Sequence, residues 1–366
     1  MNLFKSTLVV STLFALTACQ STNTIATQTA INPQIANKTV TQSPTCRGLS
    51  QAMQNINQRS TFEHIQHIDS QLKTCLPSAE NVQIRQWMNE YHDMYHFRFL
   101  NIGLELDKDG TYNVEQATIF ADVMMQLDNN EAVQNSDLKK LSPRIRYLIG
   151  LAQAKKLKTL NLCEGDFDFN YDYQKFSQLF SPYLPKEQAI FIQHLAKDNQ
   201  DGLYCDAGLK ASLGELIQRA LFWQDYITKY PNSIWIDHAK HLYRTYREAI
   251  FIGSDNTQWY NDDITEIFND PDDMDSKGLS FKAHFEQLAK QNNALGRDAK
   301  TLLNFTQMSL RQRQSNYPIN MMDDDGAPKI DWHIAREQLR KALNVQDSQY
   351  DYDCVNAPLC VTALEP

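Results

Sequence analysis

Six of the nine histidines sit in helix-spaced pairs, His64/His67, His92/His96 and His238/His241. Residues three or four apart share a helix face, the spacing by which one helix offers two imidazoles to a single metal ion. The run His92-Asp93-Met94-Tyr95-His96 is the sharpest, because it places an acid between the two rings. Such an acid can serve as general base to a metal-bound water. A catalytic metal needs a third protein ligand, and nothing downstream marks one. On a helical wheel His92 and His96 fall toward the polar edge, off the stripe of Trp87, Tyr91 and Tyr95. His64 and His67 lie opposite their apolar stripe, and His238 and His241 flank theirs. Solvated histidines are therefore expected at all three pairs, with no metal and no cofactor assigned.

The His92–His96 run resembles the zinc-peptidase helix His-Glu-x-x-His, with Asp93 in place of the glutamate. The shorter acid holds its carboxylate farther from a metal-bound water. A metal-dependent hydrolase using His92, Asp93 and His96 is the first alternative reading. Acidic stretches are the second source of ligands. Glu105-Leu106-Asp107-Lys108-Asp109-Gly110-Thr111-Tyr112-Asn113 resembles a calcium loop, with oxygen ligands at alternate positions and glycine at the sixth. Its twelfth position is Gln116, which lacks the bidentate carboxylate such loops use. Asp323-Asp324-Asp325-Gly326, Asp166-x-Asp168-x-Asn170-x-Asp172 and the cluster Asp270, Asp272, Asp273 and Asp275 are looser copies. Solvated turns and helix N-termini are expected here, where Asp is favourable beside the helix dipole. A calcium-stabilised structural protein is the second alternative. No Gly-x-Ser-x-Gly elbow and no phosphate loop occur. No catalytic residue is assigned.

The chain begins with Lys5 and a short apolar run from Leu8 to Leu16, followed by Thr17-Ala18-Cys19. That run is too short to span a bilayer. Leu16-Thr17-Ala18-Cys19 resembles the lipobox of bacterial lipoproteins. The resemblance implies a signal peptide over residues 1–18, acylation of Cys19, and, with Gln20 next, sorting to the outer membrane facing the periplasm. Exposure on the outer surface remains open. Residues 19–45 are rich in Ser, Thr, Gln and Asn, and read as a flexible tether. The net charge of -9 argues against nucleic acid as a partner. Six cysteines remain after Cys19, an even number that suits disulfides in an oxidising compartment. The sequence-local choice is Cys46–Cys75, Cys163–Cys205 and Cys354–Cys360, one of fifteen pairings that six cysteines allow.

From Cys46 onward the apolar period is helical. Ser60-x-x-Glu63 reads as a capping box opening a helix to about Lys73, and Ile65, Ile68 and Leu72 form its stripe. Ile84, Trp87, Met88, Tyr91, Tyr95 and Ile102 continue on one face of the next helix. Ser142-Pro143 and Pro185 open two more, and further helices are expected over 207–230, 233–252, 279–292, 297–314 and 331–344. No strand alternation bounded by Asn-Gly or Asp-Gly is found, so no sheet is expected. Tyr230-Pro231-Asn232-Ser233, followed by Ala239, resembles the turn of tetratricopeptide-type (TPR) repeats in outer-membrane lipoproteins, with Ser233 capping the second helix. Tyr183-Leu184-Pro185 with Ala189 is a looser echo, and the helix-opening prolines keep no fixed period. The expected fold is all-α: an irregular, disulfide-stapled stack of helical hairpins, α-solenoid or TPR-like, over residues 46–366, with a possible sub-boundary near 160–205. Aromatic residues crowding 223–246 are expected mostly in the core. The resemblance implies an envelope protein as partner, held at the membrane by lipid, and a scaffold or adaptor role in envelope assembly or peptidoglycan maintenance.

Overall fold

The three-to-four-residue apolar period folds as helix almost throughout. The computed structural model describes residues 44–102, 114–269 apart from 164, 171, 201, 206 and 207, 278–322, and 326–345. Cys19, Cys354, Cys360, the Glu105–Asn113 loop and the acidic residues of 270–275 and 323–325 lie outside the described residues. In chain order the first helices are α1 (Pro44–Arg47), α2 (Leu49–Gln54), α3 (Phe62–Cys75) and α4 (Asn81–Asp93). A π-helical segment, Met94–Phe99, extends α4. Next come α5 (Val114–Asp128), α6 (Asn135–Leu138) and α7 (Pro143–Gln153). Two strands, β1 (Lys158–Cys163) and β2 (Asp166–Asn170), precede α8 (Tyr173–Phe180) and α9 (Lys186–Asp198). Short strands β3 (Tyr204–Cys205) and β4 (Gly208–Leu209) lead to α10 (Leu213–Lys229) and α11 (Ile236–Phe251). The last helices are α12 (Phe281–Leu288), α13 (Ala294–Thr306), α14 (Leu310–Asn316) and α15 (Asp331–Leu343).

The fold is all-α in class, with its helices packed as hairpins, and some details differ from expectation. A sheet is present in miniature. β1 and β2 pair antiparallel from Lys158↔Asn170 to Cys163↔Asp166, and β3 pairs with β4. The strand sequences Lys-Thr-Leu-Asn-Leu-Cys and Asp-Phe-Asp-Phe-Asn do alternate with period two. Their turn uses left-handed Cys163 and Gly165 rather than an Asn-Gly pair, so the usual hairpin marker is missing. The helix expected over 297–314 is two helices. Ser309 ends the first run by capping α14: its hydroxyl accepts from the Gln312 amide, and its own amide donates to Gln312 Oε1 at 2.8 Å.

Caps elsewhere follow the same chemistry. Ser142 Oγ accepts from Ile145 N at the start of α7, as the Ser-Pro pair predicts. The start of α3 is capped one residue later than expected. Thr61, not Ser60, is the N-cap, and His64 Nδ1 accepts from the Thr61 amide at 3.0 Å. Glu63, in turn, is left at the helix surface.

Two of the local disulfides are formed. Cys46–Cys75 ties α1 to the end of α3, and Cys163–Cys205 ties β1 to β3. All described residues belong to one compact unit, Gln42–Pro366. Their buried apolar side chains form one contiguous cluster reaching from Cys46 to Leu343, with Trp87, Trp223, Trp235 and Tyr246 among its largest members. The aromatic residues of α10 and α11 are therefore core, as their helical faces predict.

Candidate functional site

The structure distributes the histidine pairs differently from the wheel. His64 and His67 are exposed. His92, expected in solvent, is only 4 % exposed, while His96 is exposed. Burial, reinforced by the charge of His96, lowers the His92 pKa to about 4. His92 lies in the regular part of α4, whose buried face is wider than the stripe drawn on the wheel: Met88 and His92 are buried beside Ile84, Trp87 and Tyr91. The two rings stack, with centroids 5.5 Å apart and planes 11° from parallel. Lone pairs of imidazole lie in the ring plane, so stacked parallel rings do not aim them at a common point. Among the described residues no group of three or more His, Cys, Asp or Glu side chains is arranged to hold a metal ion. His238 is also buried, with its ring 5.1 Å from Phe191 in the core, and His241 is half-buried.

The acidic series from Asp166 to Asp172 is not a loop. Asp166, Asp168 and Asn170 lie on β2, where Asp168 accepts from the Phe169 amide at 2.7 Å. Asp172 caps α8, accepting from the amides of Gln174 at 3.0 Å and Lys175 at 3.4 Å. The Tyr-Pro-Asn-Ser turn keeps its shape but not its expected cap. Trp235 is the N-cap of α11, while Ser233 Oγ lies 2.8 Å from the Tyr226 hydroxyl and accepts from Trp235 N.

A buried polar cluster joins α9, α10 and α11. Asp198 is 2 % exposed and accepts from Trp223 Nε1 at 2.9 Å and from the Tyr246 hydroxyl at 3.3 Å. Arg219 Nε is 3.8 Å from the same carboxylate, and its guanidinium also pairs with Glu215. Burial outweighs these favourable partners and lifts the Asp198 pKa to about 6. His194 Nε2 lies 3.4 Å from Asp198. Its pKa is lowered to about 3, by burial first and then by the charges of Lys197 and Arg219. With its histidine neutral, this cluster locks three helices together. Neither of the two hollows described below is lined by its residues.

A surface groove of about 600 Å³ adjoins a second hollow of about 430 Å³. Five lysines line the two: Lys73, Lys155, Lys156, Lys158 and Lys175. Three carboxylates, Asp69, Glu131 and Asp172, share the lining. One wall is made of two helix C-termini. Helices α5 and α7 each end in a Schellman turn, with Glu131 N donating to Gln126 O and Lys156 N donating to Leu151 O. Asn130 and Lys155 take the left-handed conformation that these turns require, with φ of 57° and 54°. The free carbonyls and dipole of a helix C-terminus favour cations, which suits lysines here. Phe62, Tyr91 and Tyr95 form the other wall, with Lys156 Nζ 5.4 Å from the Phe62 ring centre. Asp69 accepts from the Tyr91 hydroxyl at 2.8 Å; burial raises its pKa, against that hydrogen bond and the charges of Lys73 and Lys175.

None of these lysines stood out from composition, because net charge sums over the whole chain. The signal is local. Between Asp137 and Glu164 there is no acidic residue, while Lys139, Lys140, Arg144, Arg146, Lys155, Lys156 and Lys158 all fall there. The chain matches no family model, no curated protein and no solved structure.

Proposed function

We propose that this chain is a lipoprotein anchored to the outer membrane through Cys19, facing the periplasm, where it acts as a protein-binding adaptor or scaffold in envelope assembly or peptidoglycan maintenance. The observation that carries the binding role is the lysine-lined groove, an open concave surface with charge on both helix-end and aromatic walls. Its groups suit recognition: they supply charge and apolar contact along an open surface. The membrane part rests on Leu16-Thr17-Ala18-Cys19 and on the low-complexity segment that follows. Two acyl chains give stable anchoring where one gives only marginal binding. In-cell crosslinking of the lipidated protein, read by mass spectrometry beside a Cys19→Ala control, tests the reading. A discrete envelope partner that disappears in the control is the expected result. Membrane retention of the Cys19→Ala chain, or no captured partner, overturns it.

A further inference from the structure

We propose that the lysine groove docks an extended acidic segment of a partner polypeptide. This rests on the adaptor reading and gives its partner a chemistry. The cations lining the groove are all lysines. Lysine offers a mobile point charge that meets an anionic oxygen without fixing its orientation, as suits a ligand held at several separate points. Among the described residues only Lys175 of the five is in an ion pair, a loose one at 3.9 Å from Asp172. The other four make no direct ion pair, although Lys156 lies over the Phe62 ring and the charge of Lys73 acts on Asp69.

Two further features favour a polypeptide over a simple anion. Apolar side chains sit between the lysines, with Leu127, Val133 and Leu157 in one hollow and Phe62 and Leu179 in the other. They offer contacts to apolar residues of the ligand. The start of β1, at Lys158 and Thr159, lines the groove, and β1 pairs with no named strand but β2. Lys210 Nζ takes up the Asn161 carbonyl farther along β1, so only the Lys158–Thr159 end has main-chain groups to offer an added strand. A segment that alternates acidic and apolar residues satisfies the lysines, the apolar walls and the strand edge together. A phosphate group satisfies only the first.

Lys155 supports the assignment from a different direction. It holds a left-handed backbone where glycine is the favoured residue, and it does so at the groove rim. Lysine at such a position costs backbone stability that glycine would not, and it adds a charge to the groove lining.

The test uses the full chain purified in detergent and a fluorescein-labelled peptide of alternating Glu and Val, read by fluorescence anisotropy. Binding is expected to weaken with salt. It is expected to weaken roughly tenfold or more in the double variant Lys156→Glu/Lys175→Glu. Lys300→Glu, an exposed change on α13, is expected to leave it unchanged. Lys155→Gly is expected to raise the thermal midpoint while lowering affinity, a combination that misfolding does not produce. The proposal is overturned by any of four results: no binding, equal binding of a peptide with Lys in place of Glu, indifference to the double charge reversal, or displacement by inorganic phosphate at matched ionic strength. A captured envelope partner without peptide binding removes the groove assignment and leaves the adaptor. Peptide binding without any captured partner does the reverse.

Discussion

Asp198 shows how far a single residue depends on its surroundings. Its carboxyl is held by Trp223 and Tyr246 and faced by Arg219, yet burial raises its pKa from 3.8 to about 6. A raised folded-state value means that the neutral form favours folding. The contribution is complete below the ordinary value of 3.8 and is lost as pH rises through about 6. His194 has the opposite sign. Its lowered value makes the neutral ring favour folding, so its contribution is complete above 6.5 and is lost as pH falls toward about 3. Between about pH 4 and 6 the two slopes oppose, and the native chain should show little pH dependence from this cluster. Asp198→Asn removes one slope, so its unfolding free energy should rise with pH through that window. The native-minus-variant difference should fall by on the order of 3 kcal/mol between about pH 4 and pH 7. Urea titrations at several pH values measure it, and a flat difference would sink the assignment. None of this was legible in sequence, because Asp198, Arg219, Trp223 and Tyr246 come from three helices. The groove lysines were closer to legible, in the acid-free stretch between Asp137 and Glu164.

At the level of elements, what could be read is what local chemistry controls. Ser142-Pro143 starts α7 and Pro185 precedes α9 as the capping rules require. Where a second residue competes, the rules lose a residue or a role: Thr61 displaces Ser60 at α3, and Ser233 bonds to Tyr226 instead of capping α11. The β1–β2 hairpin was missed because its turn lacks the usual dipeptide, although its strands alternate. The cysteine spacing was read correctly for the two pairs described, each closing a local segment, of 29 and 42 residues. Such closures stabilise by restricting the unfolded chain, and a loop of this length corresponds to roughly 3–4 kcal/mol. The Cys46–Cys75 bridge holds α1, a single helical turn too short to persist alone. The double variant Cys46→Ala/Cys75→Ala should therefore lose about 3 kcal/mol of stability. It should also expose the 44–54 segment to proteolysis before the rest of the chain. Unchanged stability together with an uncut segment would show that packing of Leu49 and Met53 alone holds these helices.

The whole molecule has one core, and this bears on the possible boundary near residues 160–205. One hairpin, β1–β2, lies at its start and the other, β3–β4, begins at its end, and Cys163–Cys205 ties the two to each other. If it were a linker, apolar burial should break on either side. Instead Phe169, Phe176, Phe180 and Phe191 are all buried within it, in the same apolar cluster as the helices on either side. Tyr91 of α4 lies 5.7 Å from the Phe180 ring, and Phe191 of α9 lies 5.0 Å from both Trp223 and Trp235. Both aromatic groups belong to one apolar cluster, which gives neither half a face it can expose cheaply. Opening one half would strip the other of apolar contacts, at about 25 cal/mol for each Å² exposed. The expected consequence is a single cooperative transition, although chains of this size often unfold in stages. Pulse-labelling hydrogen exchange along a urea gradient reads this directly, with peptides from α4 and from α11 analysed by mass spectrometry. Both should gain label with the same midpoint. Midpoints that separate would mean that the hairpin region divides two folding units, and that the apolar cluster they share adds too little to couple them.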